Sequence, residues 1–349
     1  MRQPYTISNS LPSERLDKLD TMNALLSTIV ELVDLQAMAK KIESVMAPER
    51  SSSRAKIGRP AYPTLLMLKM VLLQTLYNLS DEQAEYQCLD RLSFQRFLDV
   101  NFANKIPDAK TLWLFKEKLK EYELGHVLFE ELQHQLHCHG YIPRGGQIVD
   151  ATLIPVPIQR NTKEENKLIK SDAVPIDWSS NEPKRRQKDT DARWSKKNNK
   201  SYYGYKASIN IDKRDKFIRK LHVSKGSEHD SQHVPYLIDP LNTCRDWYAD
   251  SAYTGQSIVE QLFSAGMRPQ IQRKGSKGKP LSECQKRRNH RLAQSRCRVE
   301  HVFADFQAMG GKIVRSIGLA RATLNLQIKG TVYNIRRLCS LQRQGYVPF

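Results

Sequence analysis

In the first 140 residues apolar positions recur three and four apart, the spacing that gives one face of a helix. Leu19, Met22, Leu25, Leu26, Ile29, Leu32 and Val33 follow it within residues 12–48. The polar, serine-rich run 51–60 then reads as a linker. Further helices are predicted over 63–78, 81–91, 93–99, 109–121 and 124–138. Ser80-Asp81-Glu82-Gln83 supplies one start signal, and Pro107-Asp108 with Thr111 another. The short helices between 81 and 121 suit either a helix-turn-helix-like unit or a packing and dimerisation bundle.

After Gly145-Gly146 the period changes. Residues 147–156 are rich in β-branched side chains, read as a strand and end in proline and valine. Residues 159–200 are polar and without periodicity, so they read as a long loop or flexible insertion. Strands are predicted at 202–211 and 217–223, joined by the Asp212-Lys213-Arg214-Asp215 turn. A helix at 231–239, a short strand at 247–250, a helix at 255–265 and a strand at 269–272 follow. Long helices at 286–308 and 323–340 complete the chain. The order predicts an α/β fold with a mixed central sheet behind an all-α N-terminal region. The domains are read as 1–140 and 141–349, with 159–200 inserted into the second.

Charge narrows the partners. The 349 residues include 56 Lys and Arg against 37 Asp and Glu, a net charge of +19. Residues 184–220 carry +10 of it and residues 273–298 carry +9, so these two segments hold the whole excess. Such concentration points to a polyanionic partner, nucleic acid before membrane. The start lacks the apolar stretch of a secretory signal, and the most apolar run, 65–73, contains Lys69 and is too short to span a bilayer. A cytoplasmic protein without a membrane partner is expected. The six cysteines form no CxxC pair and read as reduced thiols. His134, His137, Cys138 and His139 cluster, but lie at the end of an amphipathic helix without a partner cluster, and read as a solvated helix end.

Three acids stand where metal-dependent phosphoryl transfer would want them. Asp150 ends an apolar strand run, Asp250 ends another, and Glu300 is the only acid between Glu283 and Asp305 in a strongly basic helix. Strand ends bring carboxylates to within about 5 Å of each other, close enough for shared oxygen ligation of hard divalent ions. Asp246 competes with Asp250 but precedes its strand, and Glu300 has an alternative use as an ion-pair partner of Arg296 one turn away.

From about residue 57 to 340 the chain resembles the DDE-type transposases of bacterial insertion sequences, particularly insertion-sequence family five. The resemblance rests on Ile57-Gly58-Arg59-Pro60, the helix from Pro63 to Leu79, Leu92-Ser93-Phe94-Gln95-Arg96-Phe97, and Pro107-Asp108 with Thr111-Leu112-Trp113. It continues through Val149-Asp150-Ala151-Thr152, Asp189-Thr190-Asp191-Ala192-Arg193-Trp194 and Lys200-Ser201-Tyr202-Tyr203-Gly204-Tyr205-Lys206. Ala249-Asp250-Ser251-Ala252-Tyr253, Arg296-Cys297-Arg298-Val299-Glu300, Gly318-Leu319-Ala320-Arg321 and Tyr333-Asn334-Ile335-Arg336-Arg337 follow in order.

The resemblance implies a ribonuclease-H-like catalytic domain with Asp150, Asp250 and Glu300 as the metal-binding triad. It implies two Mg²⁺ ions, with Mn²⁺ as a substitute, and cleavage of double-stranded DNA at inverted-repeat ends followed by strand transfer into target DNA. Of the Tyr, Arg, Glu, Lys signature of related families, Arg296 and Glu300 fit, while Ala293 and Gln307 depart. Arg296, Arg298, Lys200 and Lys206 are expected to contact DNA, with Tyr202 or Tyr203 stacking on an unpaired base or simply packing in the sheet. Arg59 resembles a minor-groove element, and His229 and Asp230 are expected to support the metal ligands. Pairing two DNA ends requires two active sites, so a homodimer associated with the nucleoid is expected. Two other readings share the residues: a DNA-binding protein that has lost its chemistry, and a nuclease that cuts without joining.

Overall fold

The computed structural model describes residues 18, 21–22, 25–50, 60–101, 104–197, 199–276, 278–311 and 313–348. Of the linker 51–60, residues 51–59, Arg59 among them, lie outside these.

The N-terminal helices are α1 Leu25–Leu32, α2 Leu35–Arg50, α3 Thr64–Leu76, α4 Asp81–Asp90, α5 Leu92–Leu98, α6 Ala109–Glu121 and α7 Leu124–Cys138. The start signals act as read. Ser80 and Gln83 form a reciprocal capping box, and the Asp108 carboxylate accepts the Thr111 N–H at 2.6 Å. Between α1 and α2 the chain breaks at Asp34, whose carboxylate accepts the Ala37 N–H at 2.8 Å. The His134 cluster gathers no ligand set: the His139 ring nitrogen meets the Leu32 carbonyl at 2.9 Å.

The sheet is built from β1 Gln147–Pro155, β2 Arg193–Lys197, β3 Lys200–Asp212, β4 Ile218–Lys225, β5 Asp246–Ala249 and β6 Arg268–Ile271. β4 pairs β3 and β3 pairs β1, both antiparallel; β1 pairs β5 and β5 pairs β6, both parallel. The spatial order β4-β3-β1-β5-β6 is that of a ribonuclease-H-like sheet. β2 pairs the N-terminal part of β3, ahead of the segment that pairs β4. At this junction Gly204 has φ +152°, and a Cβ there would lie 2.2 Å from the Ile154 carbonyl oxygen, so only glycine fits.

Residues 159–200 are not a loop. They fold as α8 Lys163–Lys170, α9 Ile176–Ser179, α10 Glu182–Arg186 and then β2. The elements are too short and too charged to show a period. A Thr162–Glu165 capping box starts α8, and fully buried Trp178 donates its indole N–H to Glu165 at 2.7 Å. The Asp189 carboxylate accepts the Tyr205 hydroxyl at 2.6 Å and the Gly318 N–H at 3.2 Å, fastening the insertion to both sheet and C-terminal helix. The expected helix at 231–239 is also shorter, a single 3₁₀ turn Asp230–His233 followed by α11 Val234–Leu237. A helix α12 Gln256–Ser264 separates β5 from β6.

The long helices α13 Glu283–Ala308 and α14 Leu319–Arg343 cover one face of the sheet. α14 buries Leu324, Leu326, Ile328, Val332, Ile335 and Leu338 in one core shared with the N-terminal helices. The fully buried Asn334 side chain accepts the Ile218 N–H and donates to the Ile218 carbonyl, both at 2.9 Å, which pins α14 to β4. A second core on the opposite face joins Val149, Trp247, Ala249 and Tyr253 to α11 and α12. No helix of the described residues is long and apolar enough to cross a membrane.

Candidate active site

Alternation along β1 and β5 decides where the acids point. Val149, Trp247 and Ala249 enter the second core, whereas Ile148 and Tyr248 enter the first, on the face covered by α13. Period two therefore directs Asp150 and Asp250 toward α13. The parallel register pairs Gln147 with Trp247 and Ile148 with Tyr248. Continued by two residues it sets Asp250 beside Asp150. Likewise β5 pairs Ala249 with Ile271, which brings Gln272 level with Asp250 on the next strand. Three polar residues thus form a row across three neighbouring strands. Asp250 and Gln272 directly follow β5 and β6. Asp150, expected to end its strand, does not, because β1 continues past it to Pro155 in its pairing with β3.

Arg296, on α13, lies over this row. Its guanidinium donates to Asp150 Oδ2 at 3.2 Å and to Gln272 Oε1 at 2.6 Å. Asp150 is largely buried, and burial pushes its carboxyl above the usual range, opposed by Arg296 and reinforced by the charge of Asp250. Asp250 is fixed by a local turn, its Oδ1 accepting the Ala252 N–H at 2.8 Å. Glu300 is exposed one turn beyond Arg296, on the side of α13 that carries Arg296. The structure therefore brings Asp150 and Asp250 together but not Glu300; among the described residues no three His, Cys, Asp or Glu side chains are gathered as a metal cluster.

Other predicted contacts divide. Lys200 is exposed and Tyr202 half-buried at the β2–β3 hairpin tip. Tyr203 is 4% exposed, gives its hydroxyl to the Asp189 carbonyl at 3.2 Å and packs on Trp194, so it is sheet packing and offers no face to a base. Lys206 is also committed, to the Asp230 carboxylate at 2.6 Å and to the Glu228 carbonyl. Asp230 thus balances a lysine, while His229 is exposed and caps the 3₁₀ turn. Arg298 donates to the Lys213 carbonyl at 2.5 Å, tying α13 to the β3–β4 turn.

Sequence reasoning missed three residues. Gln272 is visible only once the β5–β6 register is known. Lys197, exposed at the hairpin tip, acts electrostatically on Asp150, and its signal is the lysine run on either side of the turn. Tyr253 is fully buried with an unpaired hydroxyl; burial first, then the charges of Asp230, Asp150 and Asp250, hold that hydroxyl protonated.

A mixed sheet in the ribonuclease-H order, with paired aspartates under a basic helix, defines a class of nucleic-acid-processing proteins. The transposase DDE domain family matches residues 142–335, more than half of the chain, and a transposase domain (DUF772) matches residues 14–118. The chain belongs to the DDE transposase family. The cryo-EM structure of the piggyBac transposase synaptic complex with hairpin DNA is similar at 11% identity over 98% of this chain and 78% of that one, with a TM-score of 0.44.

DDE transposases use divalent metal ions. The donors present fit such an ion: two adjacent carboxylates, which are hard oxygen ligands, one with a raised affinity for protons and already drawing a guanidinium as counter-charge.

Proposed function

We propose that this protein is the transposase of an insertion sequence of family five, cleaving double-stranded DNA at inverted-repeat ends and joining the freed end to target DNA. The observation that carries this reading is the register that sets Asp150 beside Asp250 beneath a basic helix. Asp150 and Asp250 would hold Mg²⁺ or Mn²⁺, two ions in all, with Glu300 as the third ligand. The ions supply activation of the attacking oxygen and neutralisation of charge on phosphorus. Arg296, released from Asp150, would hold a non-bridging phosphate oxygen near the carboxylates. Water attacks phosphorus and the P–O3′ bond breaks, leaving a 3′-hydroxyl on the transposon end. That hydroxyl then attacks a target phosphodiester, and the departing target oxygen takes up a proton.

Residues 1–140 would bind DNA or dimerise, and residues 141–349 would perform the chemistry, in a cytoplasmic, nucleoid-associated homodimer assembled on two DNA ends. The exposed Lys200 and half-buried Tyr202 keep their expected role beside the DNA. In Mg²⁺, D150N, D250N and E300Q should each lower end cleavage at least about a hundredfold while keeping DNA affinity within a few-fold. Full cleavage by all three would sink the assignment, and loss for the aspartates alone would remove Glu300 from it. The Arg296–Asp150 contact favours a second reading, a chain that binds DNA on this fold without cutting it. Wild-type protein that binds inverted-repeat ends yet fails to cut them in both Mg²⁺ and Mn²⁺ would establish that reading. A strand-transfer assay with pre-cut ends separates joining from cutting alone.

A further inference from the structure

A cavity of about 850 Å³ opens away from the aspartates, between α3, α4 and α6 on one side and α14 on the other. Its wall includes Trp113, Arg315, Asn325 and Lys329. Lys329 is 5% exposed, and among the described residues its ammonium has no acceptor. Three acids line the same cavity: Glu82 is exposed to solvent, and the other two are engaged elsewhere. Asp81 is taken by Lys116 and by the Gln74 amide, both at 2.5 Å, and Glu117 is held by both arms of Arg321, at 2.6 and 2.7 Å. Burial alone pushes the Lys329 amine down to about 8. The side chain is buried while its ammonium has no acceptor from the protein and ends on the cavity wall, so its donors are left to whatever enters the cavity, and an anion suits them.

We propose that this cavity binds the phosphate of a nucleotide, with Lys329 as its central charged donor. Arg315 is exposed on the same wall and adds a second positive charge, and Asn325 adds a neutral donor. Trp113 is 44% exposed and offers an aromatic face for the attached base. The phosphate comes either from a DNA strand or from a free nucleotide. This site is separate from the aspartate pair and stands whether or not the chain cuts DNA.

The test is thermal unfolding and tryptophan fluorescence of the full chain, titrated at constant ionic strength with sodium phosphate, deoxyadenosine monophosphate and a short 5′-phosphorylated oligonucleotide. Wild type and K329R should show saturable stabilisation and a fluorescence change that W113F loses. K329M should bind about tenfold or more weakly. Removal of an unpaired charge should leave K329M at least as stable as wild type without ligand. Tighter binding of the oligonucleotide than of the mononucleotide assigns a DNA strand, and the reverse assigns a free nucleotide. No saturable response in wild type, or unchanged affinity in K329M, overturns the site.

Discussion

Asp212 ends β3 with no exposed surface, and it organises the turn that follows. Its carboxylate accepts the Asp215 N–H at 2.6 Å, the Phe217 N–H at 3.0 Å and the Arg219 Nε–H at 3.3 Å. Burial pushes it up to about 6 even against Arg219, which is itself buried. Arg219→Met would strand that carboxylate, so denaturant unfolding should show a loss of about 3–5 kcal/mol, larger than for an exposed arginine. Lys329 gives the opposite lesson and a pH signature. Its amine titrates at about 8 in the folded chain against 10.5 when unfolded. Below pH 8 both states hold the proton and this contribution is flat. Between 8 and 10.5 only the unfolded chain does, so stability rises with pH through that window, and K329M should abolish the rise. Neither behaviour is legible in sequence: Asp212 reads as an ordinary turn residue, and nothing marks Lys329 as buried and alone.

Helices and strands are legible where a cap or a period announces them. α6 and α7 fall within the predicted limits, and α13 begins three residues early because Ser282 and Gln285 form a capping box that periodicity does not register. The insertion escapes the same reading for a physical reason. α8, α9 and α10 are each two turns or shorter, and their order comes from one indole and a few charges. Lys188 lies 5.3 Å from the Trp178 ring, adding a cation to the apolar anchor. Trp178→Ala should cost about 3–5 kcal/mol locally and expose 160–190 to limited proteolysis, with the sheet and its aspartates intact. Equal protection of the segment in wild type and variant would show another anchor. The pair Asp150 and Asp250 can be found because an acid in or just after an apolar strand run is visible along a chain, although β1 runs on past Asp150. The partner of Arg296 cannot, since it depends on how α13 crosses the sheet.

At the scale of the molecule, the two basic segments recognised by composition lie on different supports. The first runs through the insertion and the β2–β3 hairpin, and the second runs along α13. Several of their charges are spent internally, Lys206 on Asp230 and Arg296 on Asp150, so net charge overstates what a polyanion meets. Lys196, Lys197 and Lys200 remain exposed at the hairpin tip. Replacing all three by Gln should make the dependence of log affinity for duplex DNA on log salt shallower by about 0.9 for each phosphate no longer neutralised, with thermal stability unchanged. An unaltered slope would place the DNA elsewhere. The parallel pairing of β1 with β5 has a wider consequence. The hundred residues between Asp150 and Asp250 are an accident of what the intervening chain contains. What the chemistry would feel is a zero offset between two neighbouring strands. Segments spliced into or cut from that interval leave the carboxylates side by side, whereas a one-residue slip of either strand turns its aspartate to the far face. The site is thus indifferent to length and intolerant of phase, which makes the interval a natural place for this architecture to acquire new parts.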